Sequence, residues 1–346
     1  MQHNLPWLYV GRALRSFYTA FLTIVFPLYL AGIGLNAAKI GLVLSLAAGL
    51  NILLVVAAGL IADRYGRRIV LIGLTCVAAA AGFALALSPG LYVILILASG
   101  LGGVGRGGGA GTGGIWGPVL TAEQPLVAAS ATGDPTGVFG HLAFIGVLAS
   151  AAGSLVGSLP TFLVSRGVPL IAGYRLLFAL SALAALAAVA VSIPIREIRL
   201  SESPQTGAPP ALPVRTLLGR LGFTNALNGF GIGFLGPLLT YWFYRRFGVG
   251  AAEIALMYTI VNLITALPYL GAAGLARRLG QVRSVVLTRS VGSIVLMVMP
   301  LMPSFFWAGA VYALRMGLNS LSLPARQSFT MGVAQDRYRS RVAAFS

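Results

Sequence analysis

Charge is scarce in this sequence. Of 346 residues only 9% are charged, and the acids number seven. A soluble domain of average composition is about a quarter charged, so this chain is not one. Cysteine is nearly missing: Cys76 stands alone in an apolar run, which excludes an intrachain disulfide and marks it as a packing residue. The two histidines, His3 and His141, lie far apart, so no metal-ligand spacing and no Ser–His–Asp set can be assembled. An enzyme is therefore the weak reading, and no cofactor is expected. The stretch GLGGVGRG from Gly100 has the spacing of a dinucleotide loop, but that loop needs a preceding strand and a following acid. Here it falls inside an expected membrane helix, where glycines allow close packing.

What is present is apolar: 58% of the residues are aliphatic, aromatic or sulfur-bearing, with 45 glycines among the rest. A membrane-spanning helix needs about 20 such residues. Candidate spans are Ser16–Ile33, Ile40–Ala62, Ile69–Ser88, Leu91–Gly111, Val138–Val164, Pro169–Ile195, Phe223–Tyr244, Ala255–Ala276, Val285–Met302 and Phe305–Leu323. Continuous runs of this length exclude the alternating strands of a membrane barrel. The expected fold class is all-α, a polytopic bundle of about ten transmembrane helices.

The charge that exists is mostly of one sign, giving a net +17. A nucleic-acid surface would cluster it on one folded face. Instead it alternates along the chain. With a cytoplasmic N-terminus, Arg12, Arg15, Arg64, Arg67, Arg68, Arg196, Arg199, Arg215, Arg220, Arg277, Arg278, Arg283, Arg326, Arg337, Arg339 and Arg341 lie inside. Only Lys39, Arg166, Arg245 and Arg246 lie outside, a bias of about four to one. The basic surplus reads as membrane topology, and no nucleic-acid partner is expected.

Between Arg196 and Gly222 the chain turns polar and proline-rich, which suits a cytoplasmic linker. It would divide a six-helix bundle (1–195) from an incomplete C-terminal bundle of about four helices (223–346). The charged loop GLIADRYGRRIV, from Gly59, recurs as AGLARRLGQVRSVV, from Ala273. Pairing Gly66 with Gly280 sets an offset of roughly 210 residues. It also aligns Arg106 with Arg315, and Pro118 with Pro324.

Gly59, Asp63, Arg64, Gly66, Arg67 and Arg68 fit the signature Gly-x-x-x-Asp-Arg-x-Gly-Arg-Arg. On these residues the chain resembles the major facilitator superfamily, whose signature lies between helices two and three. The resemblance implies a secondary transporter of a small solute, working by alternating access, with the loop as a gate lock. Three departures accompany it. Arg277 stands where the first copy has Asp63, Gly109 where a Gln is common, and Ser154 where antiporters often carry Pro before a glycine. Family members have about twelve helices, so the chain is expected to stop short of its last two.

The cavity candidates are Arg106, Arg315, Asn228, Tyr258 and Asn262. A charge at mid-bilayer costs about 2.5–3.5 kcal/mol and is tolerated mainly toward a cavity or partner. Arg106 and Arg315 could instead snorkel to the cytoplasmic surface. Tyr258, Asn262 and Tyr269 share one helix face, which could line a polar cavity, while Tyr241 and Trp242 suit an interfacial belt. Asn51 reads as a cross-link between helices. Arg175 and Arg289 read as helix-end residues. The acids Asp63, Glu123, Asp134, Glu197, Glu202, Glu253 and Asp336 all fall at expected helix ends or loops. Glu123 and Asp134 are expected to pair with the basic loops. Coupling to a proton usually wants an embedded carboxylate, so proton or ion coupling and facilitated diffusion both stay open.

Overall fold

A computed structural model of the chain describes residues 4–87, 91–105, 110, 112, 117–131, 135–197 and 236–333. Among these the structure is helical, without a strand. Helices α1 (Asn4–Gly32), α2 (Ala37–Tyr65), α3 (Arg67–Leu87), α4 (Tyr92–Gly100), α5 (Gly117–Ser130), α6 (Pro135–Val156), α7 (Leu159–Val164) and α8 (Leu170–Ser192) come first. Helices α9 (Gly236–Phe247), α10 (Ala251–Leu279), α11 (Gln281–Val298) and α12 (Phe305–Val333) follow. Among the described residues, seven helical segments have the length and hydropathy of a membrane span. The expected linker and most of the expected seventh span lie outside the described residues.

The helix ends are written in local chemistry. Asn36 caps α2 by accepting the Lys39 N–H at 3.0 Å. Gly66, at φ +113°, makes the sharp joint between α2 and α3, and Gly280, at φ +80°, makes the matching joint between α10 and α11. Positive φ is strained for any side chain with a Cβ, so glycine is what lets both joints form.

Three expectations need correction. The first span begins at Asn4 rather than Ser16, so Arg12 and Arg15 lie within α1 and not on a loop before it. The fourth expected span is broken: α4 ends at Gly100, and Gly103 and Gly105 take positive φ before the chain re-enters helix as α5. Glycine still serves contact there, since a Cβ on Gly100 would press on Leu50 and one on Gly102 on Ala81. Cys76 is exposed on the outer face of α3 and fills no core.

Without water to drive helices together, association in lipid depends on close approach of small residues. The structure uses this at two crossings. Where α6 meets α1, a Cβ on Gly153 would overlap the Phe17 carbonyl oxygen; where α3 meets α8, one on Gly82 would stand 2.9 Å from the Phe178 carbonyl. Gly153 and Ser154, which stand in the antiporter-like motif, thus have packing roles: Gly153 admits α1, and Ser154 accepts the Asn262 amide of α10 at 3.2 Å. The outer face of α2, with Leu42, Leu46, Ile52 and Leu53, stays exposed, as a lipid-facing surface would.

Helix α10 lies along α6 and joins helices α1–α8 to α9–α12. The joint is built from small groups. Ala143, Val147 and Ala266 pack with Tyr269; Thr259 donates to the Ala151 carbonyl at 3.3 Å; and a Cβ on Gly140 would lie 3.0 Å from the Tyr269 carbonyl.

Candidate functional site

A buried group of charged side chains joins α1 to α5. Arg12 and Arg15 sit one turn apart on α1, so their side chains leave the same face. Glu123 comes from α5, 111 and 108 residues further along the chain. Arg12 Nη1 donates to Glu123 Oε2 at 2.6 Å, and Arg15 Nη2 to Oε1 at 2.5 Å. The arginines are 4% exposed and the glutamate 0%. Short contacts of this kind are charge-assisted hydrogen bonds, and in a buried place they hold the helices in one register. Gly11 makes room for the group: a Cβ there would stand 3.0 Å from Arg15 Nη1.

The field of the cluster extends to the second set of helices. The charge of Arg12 reaches the Tyr269 hydroxyl on α10, which lies in hydrogen-bonding range of Ser320 on α12. Tyr18, one turn on from Arg15 and also buried, lies in the field of both Arg15 and Glu123.

Sequence reasoning misses this site for two reasons. It places Arg12 and Arg15 on the cytoplasmic flank, and it foresees no helix carrying Glu123. A signal exists: two arginines at i and i+3 share a helix face, and the apolar run continues on their N-terminal side through Leu5, Trp7, Leu8, Tyr9 and Val10. Glu123 does pair with basic residues, as expected, but inside the bundle rather than at its edge.

The signature loop is placed as follows. Gly59 is buried in α2, Asp63 lies half-buried in its last turn, and Arg64 is exposed with its guanidinium 5.4 Å from the Tyr65 ring. Beyond Gly66 the carboxylate of Glu197 accepts the backbone N–H groups of Arg67 at 3.1 Å and Arg68 at 2.8 Å. An acid at a helix start satisfies orphan donors and complements the dipole. The Arg68 guanidinium donates to the Ile193 carbonyl at 2.6 Å. Asn4 exchanges two hydrogen bonds with the backbone of Arg196, at 2.8 and 2.9 Å. The chain leaving α8 is therefore tied to the starts of both α1 and α3.

The remaining candidates divide. Tyr258 and Asn262 are buried on α10: the Tyr258 hydroxyl lies 3.2 Å from Thr240 on α9, its ring stacks on Tyr312, and Asn262 reaches α6. Tyr312 in turn donates to the Ala110 carbonyl at 3.2 Å. Arg315 is half-buried on α12, with Nη1 3.4 Å from Met316 Sδ, in the electrostatic range of Arg289. Arg289 lies mid-helix in α11 rather than at an end. Asn51 does cross-link helices, donating to the Gly100 carbonyl at 3.2 Å. Arg106 and Asn228 lie outside the described residues. A separate cleft of about 600 Å³ opens between α10 and α12, lined by Gly271, Gly274, Leu275, Arg278 and Leu321.

Comparison with known proteins agrees with this architecture. The sequence profile of the Major Facilitator Superfamily matches residues 8–346. No curated protein sequence matches the chain. Among solved structures, the fold is similar to the crystal structure of the human organic anion transporter MFSD10 (TETRAN), with a TM-score of 0.67 at 16% identity over 99% of this chain and 88% of that one. It is also similar to the crystal structure of a point mutant of the nucleoside transporter NupG, with a TM-score of 0.65 at 13% identity over 99% of this chain and 86% of that one. A polytopic helical bundle, a family profile over nearly its whole length and two transporter folds lead to one conclusion: the chain belongs to the Major Facilitator Superfamily and is a secondary transporter of a small solute across a lipid bilayer, not an enzyme.

Proposed function

We propose that the chain works by alternating access, with the helices before the linker and those after it rocking about the α6–α10 joint. The observation that carries this reading is the make-up of that joint. Small side chains and a few long hydrogen bonds, Asn262 to Ser154 at 3.2 Å and Thr259 to Ala151 at 3.3 Å, hold the two sets together. Each net bond of this kind contributes about 0.5–1.5 kcal/mol, so parting part of the joint is within reach of ordinary binding energy.

In this reading residues 1–195 form one bundle, 196–222 the linker and 223–346 the second bundle. The protein lies in the cell membrane with its N-terminus in the cytoplasm, as the basic loops favour. Gly59, Asp63, Arg64, Gly66, Arg67 and Arg68 form the lock of the cytoplasmic gate. Arg106, Asn228, Tyr258, Asn262 and Arg315 contribute to the solute path. Glu123 is a buried acid, but two guanidinium groups hold it as an anion, so proton or ion coupling and facilitated diffusion both stay open.

The joint gives the test. In a Cys76→Ser background, cysteines placed at Ser154 and Asn262 are cross-linked in proteoliposomes. Uptake should stop on cross-linking and return on reduction. Uptake that continues with the pair fully cross-linked would overturn the rocking mechanism.

A further inference from the structure

The α1–α5 cluster holds two cations against one anion. We propose that it is the recognition site for a carboxylate or other anionic group on the transported solute, with Arg15 as the main contact. This deepens the transporter reading above and rests on it.

A guanidinium keeps its proton under all ordinary conditions, so the surplus positive charge has no chemical escape. Burying an uncompensated ion costs several kcal/mol. The other described acids are engaged elsewhere or lie at a helix end: Glu197 caps α3, Glu253 accepts the Gly250 N–H at the start of α10, and Asp63 lies in the last turn of α2.

The hydrogen-bond geometry agrees with the count. Arg15 Nη1 and Nε, and Arg12 Nε, are buried without a hydrogen-bond partner, while the opposite donors hold Glu123. Arg15 thus keeps donors on two edges of its guanidinium, and Arg12 one, for the oxygens of an anionic group. Gly11 lets the Arg15 guanidinium lie against α1, since a Cβ there would press on Nη1 at 3.0 Å. The place also suits a transported ligand. Tyr269 of α10 lies in the field of Arg12, and α1 packs on α10, so the cluster lies near the meeting of the two sets of helices.

The test uses the purified chain and matched probe pairs, each an acid with its uncharged amide: benzoate and benzamide, lactate and lactamide, glutarate and glutaramide. Thermal unfolding is followed against probe concentration, with sodium chloride and inorganic phosphate as separate arms. At least one acid should stabilise the protein more than its amide. Arg15→Gln, which leaves Arg12 and Glu123 as a neutral pair, should weaken that acid about tenfold to a hundredfold. Glu123→Gln should strengthen it, an effect that a purely structural role would not give.

The proposal is overturned if no acid exceeds its amide, or if the advantage survives Arg15→Gln. It is also overturned if only chloride or phosphate stabilises. Uptake in proteoliposomes separates it from the transport reading. Equal uptake of the amides by wild type and Arg15→Gln, with no preference for acids, leaves a transporter and removes the anion site. Arg15-dependent binding of an acid without uptake of any probe leaves the anion site and removes transport.

Discussion

Among the described residues, two groups of arginines held within this bundle differ in what surrounds them. In the first, Arg12 and Arg15 of α1 converge on Glu123, an acid brought from α5. In the second, Arg289 of α11 stands in the field of Arg315 of α12, and Arg326 of α12 in that of Arg289, so its members act on each other as like charges. The first is a clamp between two distant segments. The second sets like charges of neighbouring helices within each other's field. A membrane protein tolerates intramembrane arginine for both purposes, and only the partners reveal which one applies.

The largest expected effect breaks the clamp. Glu123→Ala leaves two buried guanidinium groups uncompensated and should cost about 3–5 kcal/mol, read as a marked fall in the thermal midpoint of the purified protein. A midpoint within a degree of wild type would mean that the clamp contributes nothing to stability. Next comes the helix crossing that brings α6 against α1. Gly153→Val should destabilise by about 1–3 kcal/mol, since its side chain would enter the Phe17 backbone. Gly73→Ala, where a Cβ meets nothing within 4 Å, is the control and should be neutral.

The two glycine joints sharpen the comparison further. Gly66→Ala and Gly280→Ala both force a Cβ into positive φ, at about 1 kcal/mol each. At Gly66 the new Cβ also stands 3.3 Å from Glu197 Oε2, whereas at Gly280 nothing lies within 4 Å. The first substitution should therefore lower the thermal midpoint more than the second. Equal losses would show that the Glu197 cap yields freely. The smallest effect has the opposite sign. Arg315→Gln should leave stability unchanged or raise it by up to about 1 kcal/mol, because it relieves like-charge repulsion. A clear loss there would mean that the second group is a clamp as well.

Much of the fold is legible in the sequence because its signals are local. A 29-residue apolar helix such as α10, bounded by Gly250 and Gly280, is specified by its own composition. So is the joint at Gly66, where the charged motif, the glycine and the change of helix coincide. The errors fall where a local signal has a distant cause. Arg12 and Arg15 look like flanking charges because hydropathy treats every arginine as a cost. The break after α4 looks like continuous span because glycine carries no hydropathic penalty, although Gly103 and Gly105 turn the backbone there. Cys76 looks like core because periodicity alone does not tell a lipid-facing position from a protein-facing one.

The sequence by itself determined that this chain is a helical membrane protein, where most of its spans run, and which family signature it carries. Those properties follow from the length of apolar runs and from residues close together along the chain. The tertiary structure decided that Glu123 meets Arg12 and Arg15, that Glu197 caps α3, and that Asn262 crosses to α6. Each of these contacts joins groups more than a hundred residues apart. No one-dimensional pattern encodes such a meeting, because the energy that makes a buried charge tolerable appears only when its partner arrives.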